Sequence, residues 1–166
     1  MNSPSKNTGQ KAGAARSSAG LQGSIGHLRT ISPDALDKAF ARVGQALREG
    51  LSKEAEKILT NTIEGYRHSD DDLANLKRLL SFTLETVGKY KESLEILKPF
   101  EDEVVLGRLK METQVRVTTQ LAIAYSNLAD QPKAVTLLKE TLKQAQENDL
   151  SRLSGIVYIG LSRVYR

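Results

Sequence analysis

Cysteine is absent from this 166-residue chain, and so is tryptophan. The first absence rules out disulfides, a thiolate zinc site and a cysteine nucleophile. It is compatible with a reducing compartment, and a cytoplasmic location is expected. Uncharged apolar runs do not exceed about six residues, at Ile156 to Leu161, against the ~20 needed to cross a bilayer. A membrane span is therefore not expected. Acids are missing from the start of the chain: Lys6, Lys11, Arg16 and Arg29 all precede the first of them, Asp34. The other 20 basic residues balance 20 acidic ones, so the net charge of +4 belongs to the N-terminal stretch and the rest is formally neutral. A basic footprint for specific nucleic-acid binding is not expected on a neutral body.

Residues 1–31 are rich in serine, glycine, alanine and asparagine, with almost no large apolar side chain before Leu21. Such a segment cannot bury enough surface to offset its ordering entropy, and it reads as a disordered basic tail. Its acid-poor composition also suits a transit peptide, but glycines at 9, 13, 20, 23 and 26 work against the amphipathic helix that such a peptide forms. Those at 20, 23 and 26 lack both the Gly-x-Gly-x-x-Gly spacing and the preceding strand of a phosphate loop.

From Ser32 onward apolar residues recur at three- and four-residue intervals, which predicts an all-α body over residues 32–166. Within "LAIAYSNLADQPKAVTLLKETL", Leu121 to Leu142, Asp130 is a good N-cap and Pro132 is tolerated only in a first helical turn. Two antiparallel helices with a tight turn are expected there. The phrase recurs upstream, since Leu80, Ser81, Leu84, Gly88, Tyr90, Ser93 and Leu97 stand at the spacing of Leu121, Ala122, Tyr125, Ala129, Gln131, Ala134 and Leu138. Gly50, Ala55 and Leu59 occupy the later offsets of an earlier copy, and Tyr158, Leu161, Ser162 and Tyr165 the first offsets of a later one. Repeats then start near Leu36, Ala74, Val115 and Gly155, about 40 residues apart. Small side chains at the eighth and twentieth positions let paired helices approach closely. Gly50 and Gly88 fall where a helix C-terminus needs a left-handed residue.

This pattern resembles the tetratricopeptide repeat (TPR), a helix–turn–helix unit, over about Ser32 to Arg166. The period looks closer to the longer members found in bacterial signalling regulators and kinesin light chains, whose helices are extended by a turn or more. The resemblance implies an α-solenoid, a right-handed superhelix of about three and a half antiparallel helix pairs. It also implies a protein–protein interaction module whose first helices line a concave groove for a peptide or partner helix. Family groove positions fall on Arg78, Phe82 and Glu85, then on Arg116, Gln120, Ile123 and Asn127, then on Arg163. The family's clamp for C-terminal carboxylates is not reproduced there.

Chemistry is otherwise sparse. His27 lies in the tail; His68 adjoins Ser69, Asp70, Asp71 and Asp72. That cluster reads as a helix start, with Ser69 or Asp70 as cap and His68 closing the helix before it. Glu101, Asp102 and Glu103 follow Pro99 and read as a helix break with a new first turn. With no nucleophile elbow, Walker loop or histidine-pair motif, neither an enzyme nor a cofactor nor a metal site is expected. The last segment, "DLSRLSGIVYIGLSRVYR", reads as the first helix of a fourth repeat. Its wide apolar arc predicts an open-end interface at Ile156 and Val157. That face would suit a longer repeat protein, or self-association of a signalling regulator into a homo-oligomer through its C-terminal helix.

Overall fold

The computed structural model describes residues 27–166. The N-terminal stretch up to residue 26 lies outside them, so the reading of it as a disordered tail rests on its sequence. Most of the described residues are helical, because apolar positions at helical spacing are bounded by capping and left-handed residues. The first pair is α1 (Pro33–Arg48) and α2 (Ser52–Gly65). Ser32 caps α1 by accepting a hydrogen bond from the Ala35 amide, 3.2 Å, and Pro33 sits in its first turn. The second pair is α3 (Asp70–Thr86) and α4 (Tyr90–Leu97); a 3₁₀ turn (Lys98–Glu101) and the short α5 (Glu103–Gly107) follow. The third is α6 (Met111–Asn127) and α7 (Gln131–Glu147), and α8 (Ser151–Val164) stands as the first helix of a fourth.

The stretch Leu121 to Leu142 is thus two helices. Asp130 caps the second, with its Oδ1 accepting from the Lys133 amide at 3.3 Å, and Pro132 lies in the first turn. The turns that close α1, α3, α6 and α7 share one hydrogen bond. An amide donates to the carbonyl five residues back: Leu51 to Ala46, Lys89 to Leu84, Asp130 to Tyr125 and Leu150 to Ala145, at 2.8–3.0 Å. Gly50 and Gly88 supply the left-handed residue at φ 73° and 77°, whereas Ala129 and Asp149 adopt it at 65° and 59°.

The eighth and twentieth positions meet as their size requires. Ser81 and Ser93 are fully buried and share a 2.7 Å hydroxyl contact, and Ala122 and Ala134 are fully buried in the equivalent crossing. Two apolar clusters follow the stacking. One joins α1, α2 and α3 around Val43, Leu59, Leu76 and Leu84; the other joins α3 through α8 around Leu97, Val117, Leu121, Leu138 and Val157. Ile96 of α4 packs against both.

Two expectations, on helix length and on Val157, need correction. The helices begin at Pro33, and the residues just before it pack beside the loop after α2: the Arg67 amide donates to the Arg29 carbonyl, the Ile31 amide donates to the Arg67 carbonyl, and Ile31 is buried. An apolar residue followed by a good N-cap has a core to enter once the α2–α3 loop lies beside it. Helix extension is uneven. Helices α3, α6 and α7 run 17 residues, but α4 stops after 8 because Pro99 has no amide to donate and its ring crowds the preceding turn. The extra length of that repeat goes into the 3₁₀ turn and α5. Finally, Val157 is fully buried, so it forms no part of an open face. It shares a stripe with Leu153, Gly160 and Val164 that faces α6 and α7, where a Cβ on Gly160 would meet Leu138 Cδ2 at 3.0 Å and Thr119 Cγ2 at 3.2 Å.

Ala129 holds a conformation that costs a residue with a Cβ about 1–2 kcal/mol, while glycine loses more entropy on folding, about 0.5–1 kcal/mol. Ala129→Gly should therefore be neutral to stabilising, by up to about 1 kcal/mol in urea unfolding. A loss of stability would show that the left-handed turn is not formed.

Candidate functional site

Helices α3, α6 and α8 pack side by side in sequence order. On α3, Arg78, Phe82 and Glu85 follow one another at four and three residues and share a face. The face of α6 beside it carries Arg116, Gln120, Ile123 and Asn127, and α8 brings Arg163. The structure gathers these residues into two groups, with half-buried Phe82 one turn from each on α3.

The first group is centred on the Glu85 carboxylate. Its Oε1 accepts from Gln120 Nε2 at 2.9 Å and from Ser93 Oγ at 3.1 Å. Asn127 and the Arg163 charge also favour its ionised form. Burial nevertheless outweighs these stabilising partners and raises the Glu85 pKa from its usual 4.5 to about 7. Beside the carboxylate lies a cavity of about 260 Å³ lined by Thr86, Tyr90, Ile123, Ser126, Asn127, Arg163 and Val164.

The second group is Arg78 with Arg116. Most of the Arg78 side chain is buried, and burial followed by the positive charge of Arg116 pushes its guanidinium pKa below the usual value. Its Nε is buried without a hydrogen-bond partner. Among the described residues neither arginine forms an ion pair. Three wider depressions, of about 470, 490 and 480 Å³, lie on α1 with α2, between α2, α3 and α4, and where the turn after α4 meets α6 and α7. None is lined by a buried polar atom that lacks a partner; the two such atoms among the described residues are Arg78 Nε, on the face of α3, α6 and α8, and His68 Nδ1, in the loop between α2 and α3.

The acidic clusters have structural work. Ser69 caps α3, accepting from the Asp72 amide at 3.2 Å and donating to Asp72 Oδ2 at 2.7 Å. Asp71 Oδ1 accepts the Lys110 amide at 3.0 Å, tying the start of α6 to the start of α3. The His68 ring reaches the Thr62 carbonyl in the last turn of α2 at 2.8 Å. Asp102 caps α5 through the Val104 amide at 2.7 Å. Glu101 meets both Tyr125 Oη and Lys133 Nζ, which fastens the turn after α4 to the α6–α7 hairpin. Among the described residues no group of three or more His, Cys, Asp or Glu side chains is placed to hold a metal ion.

At α8, Ile156 is exposed as expected, but the residues that extend its apolar surface are Tyr158, Ile159 and Tyr165, at 53%, 57% and 67% exposure. Sequence spacing did not single out Ile159. It also missed Ser93 as a partner of Glu85, because the same residue reads as a small packing position. Tyr90 and Ser126 sit at helix ends, where nothing in the pattern marks a cavity wall.

These observations define an all-α solenoid of TPR-like helix pairs. Its likeness among solved structures includes the crystal structure of PcrH from Pseudomonas aeruginosa, with a TM-score of 0.62, 18% identity, and coverage of 83% of this chain and 97% of that one. At that identity the likeness establishes the fold. No family model and no curated protein matches the chain. Among the described residues no helix is long and apolar enough to cross a membrane.

Glu85 carries a stability contribution whose sign follows from its raised pKa. Between about pH 4.5 and 7 the unfolded chain has lost this proton while the folded one keeps it. The contribution is fully present below 4.5 and is lost as pH rises through about 7. Measured by urea unfolding, the stability of the wild type relative to Glu85→Gln should fall by on the order of 2 kcal/mol between about pH 5 and pH 8. Parallel profiles for the two proteins would mean that Glu85 is well solvated.

Proposed function

We propose that this protein is a binding module that receives a peptide or partner helix in the groove formed by α3, α6 and α8. The observation that carries this reading is the unused polar capacity of that face: a partnerless buried Arg78 Nε, an unpaired Arg116 and a cavity between Glu85 and Arg163. Among the described residues the other buried polar side-chain atom without a partner is His68 Nδ1, in the loop between α2 and α3, and burying unsatisfied groups is costly unless a ligand completes them. Ile123 and half-buried Phe82 supply apolar contact between the polar groups, which suits recognition of a segment with both kinds of side chain.

The absence of native cysteine allows a single photoreactive label to be placed at will. A label on Asn127→Cys, exposed beside the cavity, should cross-link a bound partner efficiently, and one on Lys139→Cys, exposed on α7, should not. Adding Arg116→Ala and Arg163→Ala should weaken capture at the first position by about tenfold or more. Equal capture from both labels would remove the groove reading.

A second reading, self-association through α8, is favoured by one comparison. Val115, Thr118, Ala122 and Tyr125 of α6 are buried in the repeat that contains α7, whereas their counterparts on α8, Gly155, Tyr158, Ser162 and Tyr165, are exposed. The face on which α7 lies in the third repeat is therefore bare in the fourth among the described residues. Sedimentation over a concentration series should then show a dimer that Tyr158→Glu dissociates; a monomer at every concentration would exclude it.

A further inference from the structure

Arginine cannot escape burial by losing its proton at any ordinary pH, so a desolvated guanidinium needs a counter-charge or hydrogen-bond acceptors. The Arg78 Nε has no hydrogen-bond partner, and the charge that acts on its guanidinium is the like charge of Arg116. Relief from within the chain is hard to find. The N-terminal stretch before Asp34 contains no acid at all. On α3 itself Asp71 is engaged by the Lys110 amide, and Glu85 is engaged by Ser93 and Gln120. On α6, Glu112 is exposed and makes no ion pair.

We infer that Arg78 and Arg116 form an oxyanion subsite that takes the side-chain carboxylate of an acidic residue on a bound peptide. Arg78 on α3 and Arg116 on α6 stand on helices that pack against each other and feel each other's charge, and each guanidinium is a planar fork that matches a carboxylate with paired hydrogen bonds. The next position along the groove has the opposite requirement. Glu85 lies seven residues from Arg78, about 10 Å along the helix, which an extended peptide spans in about three residues. A peptide that fits both ends carries Asp or Glu at the arginine pair and, about three residues away, a neutral or basic hydrogen-bond donor at Glu85, with apolar side chains over Phe82 and Ile123 between them. This subsite rests on the groove reading above, yet it can fail while that reading stands, because cross-linking at Asn127→Cys does not depend on Arg78.

The test uses acetyl-Glu-Leu-Ala-Lys-amide, the same peptide with Gln in place of Glu, and inorganic phosphate, each titrated into the full chain at constant ionic strength. The readout is the Nε–Hε NMR signal of Arg78, identified by its loss in Arg78→Met. The Glu peptide should shift that signal saturably in the millimolar range, the Gln peptide should bind about tenfold or more weakly, and Arg116→Gln should abolish the difference. In the absence of peptide, Arg78→Met keeps the buried stem and removes the uncompensated charge, so its thermal midpoint should equal or exceed that of the wild type. A signal indifferent to the Glu peptide would overturn the subsite, as would equal responses to the Glu and Gln peptides. A response confined to phosphate would overturn the carboxylate assignment. A lowered midpoint for Arg78→Met would make the arginine a structural residue and overturn the inference as well.

Discussion

Everything in this fold depends on how closely the two helices of each pair can approach. At the crossing of α3 with α4 the constraint is met by Ser81 and Ser93, and at that of α6 with α7 by Ala122 and Ala134, all without exposed surface. Large side chains cannot share that space, so they are displaced to the flanks, where they pack on the next pair. The repeat therefore cannot bury its own apolar surface, and stacking is obligatory. The pair of serines adds a consequence that alanines could not. With Ser81 donating to Ser93 Oγ at 2.7 Å inside the crossing, the Ser93 proton is left to be donated to Glu85. A packing solution at the pair's centre thus reaches the surface that the first helices share.

That surface stores electrostatic cost. Glu85 is held by hydrogen-bond donors and still prefers to be neutral up to about pH 7, because removal from water outweighs them. Arg78 cannot take the same route and stays charged beside Arg116. Elsewhere the chain spends its ionic residues on fastening: Asp71 to the Lys110 amide, Lys89 to Glu56 at 2.9 Å, and Glu101 to Lys133 and Tyr125. The contrast between charges that secure the stack and charges left uncompensated is what separates the candidate site from the rest of the surface.

The insertion between α4 and α6 shows how a single residue redirects the repeat. Pro99 ends α4 early, Phe100 buries itself, and Asp102 starts α5. Because Glu101 then lies against Tyr125 and Lys133, the departure from a regular repeat becomes a brace between the second and third pairs. At α8 the reverse holds. The register continues without a break, but Gly155, Tyr158, Ser162 and Tyr165 keep an exposure that the same positions lose in α6.

By itself the sequence determined the helical period, the pair boundaries, and the residues that had to be small or left-handed. These are local matters: a proline without an amide, a side chain able to cap, a glycine at positive φ, a stripe at three- and four-residue spacing. The resemblance to a repeat family put Arg78, Phe82, Glu85, Arg116, Gln120, Ile123, Asn127 and Arg163 at expected groove positions, because register carries from repeat to repeat. Left-handed Ala129 and Asp149 were harder to read, because no glycine marks them and tertiary packing imposes the turn. Only the tertiary structure decided which charges lost their water and which found partners. Ser93 became a donor to Glu85, Arg78 came to lie beside Arg116, and Val157 turned into the core while Ile156 did not. Each outcome depends on how one helix is rotated against residues about 40 positions away, and desolvation and pairing change steeply with such small displacements, whereas helical periodicity does not.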